Sequence, residues 1–191
     1  MRSVLACLIA GAWLSLVPAF AAEVEGIKFE ERTRASSGGP ELVLNGAGVR
    51  RRFFVKVYVG ALYLQEKGTD ANHAIEHRGL KRMSMHMLRG LGSDQLFLAL
   101  REGLENNHAE VQVETLEPRI RRLREMFDIG RALEKGDVVH LDMVPGTGTR
   151  VIVNGESRGT LPGDEIGRAL LRIWLGEKPA DDGLKQALLG G

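Results

Sequence analysis

The chain has 191 residues, 43% of them hydrophobic, which suits one domain with a core that needs no metal or disulfide and excludes a disordered chain. Its 26 Lys and Arg stand against 25 Asp and Glu, and removing Arg2 with the N-terminal leader described next leaves 25 of each. A neutral chain has no net-charge drive toward nucleic acid or anionic membranes, so no nucleic-acid partner is expected, whatever local patches it carries.

The first residues read as a secretory leader. Arg2 precedes an apolar run from Val4 to Val17, Pro18 breaks the run, and Ala19-Phe20-Ala21 is an A-x-A cleavage motif. The run is too short to span a bilayer comfortably. Cleavage after Ala21 is therefore expected, leaving residues 22–191 as a periplasmic or secreted domain, soluble and not membrane-spanning. The single cysteine, Cys7, lies in the leader. The mature chain then has no disulfide, no cysteine nucleophile and no thiolate metal site.

Val24 to Arg34 reads as a first strand, closed by the turn residues Ser36-Ser37-Gly38-Gly39-Pro40. A second strand begins at Leu42 and runs to Arg50. Phe53 to Leu64 is a third, rich in Val, Phe and Tyr, and Arg51-Arg52 is the expected hairpin junction between them. Gly60-Ala61 predicts a bulge or a close backbone approach. Asp70 to His77 suits a short helix. Lys81 to Leu88 alternates Met83, Met85 and Met87 with Ser84 and His86, the period of a strand. Ser93 is a candidate cap for a helix bearing Leu96, Phe97, Leu100 and Leu104, and a second helix carries Leu116, Ile120, Leu123 and Phe127. Strands over Asp137 to Val144, Thr149 to Asn154 and Ser157 to Leu161 follow. Asp164 caps a helix with Ile166, Leu170, Ile173 and Trp174, and a last short helix holds Leu184, Ala187 and Leu188. Hairpin-joined strands with grouped helices predict an α+β domain: an antiparallel sheet with helices layered on one face.

Within this order, Leu44-Asn45-Gly46-Ala47-Gly48-Val49-Arg50 followed by Phe54-Val55-Lys56-Val57-Tyr58-Val59-Gly60-Ala61-Leu62-Tyr63-Leu64 resembles the paired-strand signature of the chalcone isomerase family. Ile173-Trp174-Leu175-Gly176-Glu177 and, more loosely, Glu105-Asn106 add to the match. With the leader, the chain resembles that family's exported bacterial branch. The resemblance implies an open-faced β-sandwich, a curved antiparallel sheet with a ligand cleft under its helices.

Plant enzymes of the family cyclise chalcones. By resemblance their oxyanion-holding arginine corresponds to Arg50 and their asparagine to Asn106. Their threonine is replaced by Tyr58, their tyrosine by Ala99, and the serine or threonine of the last long helix by Ile173. Three of five positions have changed. A fatty-acid-binding branch instead grips a carboxylate with an arginine and a tyrosine on the paired strands, which Arg50 and Tyr58 resemble. A guanidinium offers a fixed fork of donors to a carboxylate and the phenol adds another. By strand parity Arg50 and Arg52 share a face that excludes Arg51, and Lys56 shares the face of Tyr58 as a second anion contact.

His73-Ala74-Ile75-Glu76-His77 matches an inverted zinc-protease pattern, but its short polar context offers no third ligand, so no metal is expected. No nucleophile–base arrangement and no cofactor motif is present. The leading expectation is thus a non-catalytic binder of a small lipophilic acid, such as a fatty acid, with Arg50, Tyr58, Asn106, Ile173 and Ala99 at the ligand. The alternatives are a chalcone-type cyclase acting on a flavonoid-like ligand with Arg50 as electrophile, and a purely structural or interaction module.

Overall fold

A computed structural model describes residues 20–36, 38–128 and 130–191. The predicted leader lies outside these residues except for the backbone of Phe20 and Ala21.

The chain opens with a hairpin, β1 (Phe20–Val24) and β2 (Ile27–Glu30), followed by β3 (Arg32–Arg34). The single strand expected over Val24 to Arg34 is therefore divided. Glu25 and Gly26 both take positive φ, 53° and 77°, the geometry of a two-residue reversal. Then come β4 (Glu41–Arg52), β5 (Val55–Leu64), α1 (Ala71–Glu76), β6 (Lys81–Met87), α2 (Ser93–Asn107) and α3 (Glu110–Phe127). The chain closes with β7 (Val138–Val144), β8 (Gly148–Val153), β9 (Glu156–Pro162), α4 (Asp164–Leu175) and α5 (Asp182–Leu188). No described helix is long and apolar enough to cross a membrane. Strands β3 to β9 form one antiparallel meander in chain order. This is the expected α+β, open-faced β-sandwich.

Alternation sorts the sheet's side chains into two cores. Tyr58, Leu62, Leu64, Met83, Met85 and Met87 face the helices, against Leu100, Leu104, Ile173 and Trp174. Val59, Ala61 and Tyr63 face the opposite way and join Phe29 and Leu42, where the β1–β2 hairpin packs with Ala22, Val24 and Ile27. That cover on the second face was not foreseen. The same face holds a buried pair in which Arg82 Nε and Nη2 donate to Asp142 at 2.6 and 2.9 Å.

The glycine-rich stretch of β4 has a packing purpose. A Cβ on Gly48 would lie 2.6 Å from that of Ala187, and one on Gly46 would collide with the Ala187 carbonyl. Bare backbone at both positions lets α5 lie flat on the sheet. Asn45 fixes the seat: its amide donates to Leu188 O at 2.7 Å and Gly68 O at 3.0 Å, and its oxygen accepts from Gly68 N at 2.7 Å. On β5, Gly60 is a close approach rather than a bulge, since a Cβ there would meet Leu184 Cδ1 at 3.2 Å.

Three local expectations are corrected. The β4–β5 turn is Phe53-Phe54, with Arg51 and Arg52 still paired in the ladder. The N-caps of α2 and α4 are Gly92 and Gly163, with Ser93 and Asp164 as first helical residues. Asp164 Oδ1 instead accepts from Gly146 N at 2.9 Å and ties the β7–β8 turn to α4.

Candidate functional site

The ends of β4 and β5, the outer half of α2 and the C-terminal part of α4 enclose a cleft of about 430 Å³, within the range of small-ligand sites, roughly 300–1,000 Å³. Val57, Leu91, Leu96, Ala99, Leu100 and Ile173 form its apolar walls. Arg50, Arg52, Arg89 and Glu102 are its charged side chains and Tyr58 its phenol. Three cations against one carboxylate make the mouth electropositive.

Arg50 and Tyr58 are directly opposite in the ladder, so one guanidinium and one phenol are delivered to the same wall. Immediately afterwards the register slips: Arg51 pairs with Lys56, which leaves Val57 as the extra residue. This bulge inverts the parity of what precedes it. Val55 and Val57 therefore both line the cleft, whereas Lys56 ion-pairs with Glu25 at 2.8 Å. The expectation that Lys56 shares the face of Tyr58 is thereby corrected. The sorting of Arg50 and Arg52 from Arg51 holds, since only the first two reach the cleft.

The wall is braced from α5. The N-cap residue Asp181 accepts from Leu184 N at 2.9 Å through one oxygen and from Arg51 N at 2.8 Å through the other. Its carboxylate is thus held by backbone N–H groups. The Arg50 guanidinium donates to the Arg51 carbonyl, and no carboxylate among the described residues ion-pairs with it.

Tyr58 is 6% exposed, and its oxygen accepts from Trp174 Nε1 at 2.8 Å. Indole is a donor only, so this contact fixes the phenol oxygen as acceptor on the α4 side and leaves the hydroxyl proton for another acceptor. Burial raises the Tyr58 pKa, opposed by the Trp174 hydrogen bond and the nearby Arg50 charge. The phenol accordingly stays protonated and able to donate at neutral pH. The sequence signal for this contact was the apolar register of Trp174 in α4, since a buried indole N–H needs a partner.

Ala99 and Ile173 line the cleft, both apolar. Asn106 does not. It is exposed near the end of α2, seven residues beyond Ala99, or about 10 Å along the axis, while the cleft's last residue on that helix is Glu102. Its neighbour Asn107 is the wired one, donating to Gly103 O at 2.9 Å and Lys178 O at 2.8 Å. His73 and His77 stand with ring centroids 5.2 Å apart. No group of three or more metal-ligating side chains forms around them among the described residues.

The fold and site together define an open-faced β-sandwich holding an apolar cleft with a cationic mouth. The chain belongs to the chalcone isomerase-like family, whose model matches residues 21–190. No curated protein shows significant sequence similarity to it. Among solved structures it is similar to an Arabidopsis thaliana fatty-acid binding protein, with 16% identity and a TM-score of 0.70 over 86% of this chain and 92% of that one. At that identity the likeness is one of fold.

Proposed function

We propose that the protein is a non-catalytic binder of a lipophilic carboxylate, a fatty acid or a close relative, acting in the periplasm or outside the cell after loss of residues 1–21. The observation that carries this reading is Arg50. It is a guanidinium at the mouth of an apolar cleft, without a carboxylate partner, directly opposite a phenol whose proton is free to donate. A carboxylate there would accept from both. The walls beyond it suit an acyl chain, at about 0.8 kcal/mol per buried CH₂. The solved fatty-acid binding protein on the same fold supports the ligand class, and the leader pattern supports export. The cyclase alternative rests on Arg50, with Tyr58 in the threonine's place, because Ala99 and Ile173 bring no polar group to the cleft.

The test is a titration with straight-chain acids of increasing length and with their methyl esters. Affinity should rise about fourfold per CH₂ until the cleft is full. Arg50→Gln should weaken acid binding by roughly ten- to a hundredfold while leaving ester binding unchanged. Esters binding as tightly as acids would refute the assignment. Loss of chalcone absorbance at a rate that depends on Arg50 would favour the cyclase instead.

A further inference from the structure

Five large hydrophobic side chains are exposed among the described residues: Phe53, Phe54, Val55, Leu98 and Val111. Four of them gather at one edge. Phe53 and Phe54 form the two-residue tip of the β4–β5 hairpin, 88% exposed and fully exposed respectively. Val55 follows them, and Leu98 of α2 joins Phe53 and Val55 around the cleft mouth.

Local folding does not account for this tip. Phe53 has φ +55°, a left-handed conformation that glycine or asparagine adopts more easily. An aromatic pair is thus held out in water on a backbone that disfavours it and packs on little of its own chain. Features that break local rules in this way gather where a protein meets something else.

The surrounding charge says what that partner is. Arg50, Arg51 and Arg52 lead into the tip and Arg89 lies beside it at the cleft, none of them ion-paired with a carboxylate among the described residues. Of the acids on this side, Asp181 is held by two backbone N–H groups and Glu25 by Lys56, while Glu102 lines the cleft. Aromatic side chains projecting beyond a collar of unpaired arginines match an anionic bilayer surface, with rings at the headgroup–acyl boundary and guanidinium groups among the phosphates.

We infer that the Phe53-Phe54 hairpin is a membrane-docking tip, inserting into anionic phospholipid with Arg51 and Arg52 as its electrostatic hold. Docked this way, the cleft mouth faces the bilayer. The inference does not depend on what fills the cleft.

A spin label on Phe54→Cys, in a Cys7→Ser background, reads insertion locally and so separates the tip from any contribution of residues 1–21. On vesicles of equimolar phosphatidylcholine and phosphatidylglycerol, the label should become accessible to oxygen and shielded from a water-soluble relaxant. A control label on Arg121→Cys, an exposed position on α3, should remain in water. Pure phosphatidylcholine should give little insertion. Arg51→Gln with Arg52→Gln should lower the vesicle partition constant about twenty-fivefold, at about fivefold per arginine. A label at position 54 that stays in water on mixed vesicles overturns the proposal. So does binding indifferent to the two arginines, or a vesicle-free dimer that immobilises the label, which would make a second copy of the chain the partner.

Discussion

Trp174 Nε1 donates to the Tyr58 hydroxyl oxygen at 2.8 Å, joining α4 to β5 across 116 residues of sequence inside the buried core. This bond both secures a helix to the sheet and sets which way the phenol's proton points. The two roles separate experimentally. Trp174→Phe should cost about 2–3 kcal/mol, part from the lost hydrogen bond and part from the smaller ring. Tyr58→Phe should cost about 1–3 kcal/mol because it strands a buried N–H. The double variant should be about 1 kcal/mol more stable than the sum of the singles predicts. Urea denaturation of the four proteins measures this, and strict additivity would remove the bond from the argument.

Cleft occupancy is tested at Ala99. The residue is half-buried on α2 with its methyl group on the cleft wall. Ala99→Phe places a ring in that space without altering the buried layer beneath. Acid affinity should fall at least about tenfold, whereas stability should move by no more than about 0.5 kcal/mol, the usual range at such positions. Affinity that survives the substitution would place the ligand outside this cleft.

Much of this was legible in the sequence because it was periodic. The methionine alternation of β6 placed Met83, Met85 and Met87 in the core, and the opposite parity of Tyr58 and Tyr63 sent them to separate faces. What escaped were features that break the period. The bulge at Val57 inverts parity between Tyr58 and Lys56, so a correct alternation rule gave a wrong face for the lysine. The Glu25-Gly26 reversal divided a run of uniform β character, because one positive-φ residue there is a glutamate. The Trp174–Tyr58 bond and the displacement of Asn106 are tertiary facts. A buried indole N–H needs a partner, but only the packed helix angles decide which phenol it meets and how far along α2 the cleft extends.

The glycines of β4 give a stability prediction with an unusual sign. An alanine in a strand normally gains on a glycine, since the bare residue loses more chain entropy on folding. At Gly48 the backbone is unstrained, yet a methyl group would lie 2.6 Å from Ala187 Cβ. Gly48→Ala should therefore destabilise the fold by about 1–3 kcal/mol. Amide exchange should speed up first in α5, and Arg51 N–H should lose protection as Asp181 moves. A more stable variant would mean that α5 is not seated on bare backbone.

Acid sensitivity should arise on the sheet's second face. Burial pushes the His140 pKa down to about 4, with the Arg82 charge adding to the depression and Asp142 opposing it. His86, ring centroid 6.3 Å from that of His140, is depressed in the same direction by burial. The His140 Nδ1 has no hydrogen-bond partner that protonation would satisfy. An unfolded histidine takes up its proton near pH 6.5, so between there and about pH 4 the unfolded chain binds more protons than the folded one. Stability from this residue is therefore complete above about pH 6.5 and declines as pH falls toward 4, by roughly 2–3 kcal/mol in all. His140→Gln, which cannot titrate, should flatten the profile across that window. Urea midpoints at pH 7.0, 5.5 and 4.5 compare the two proteins under one protocol, and parallel curves would show that the half-buried His140 imidazole is not what acid attacks.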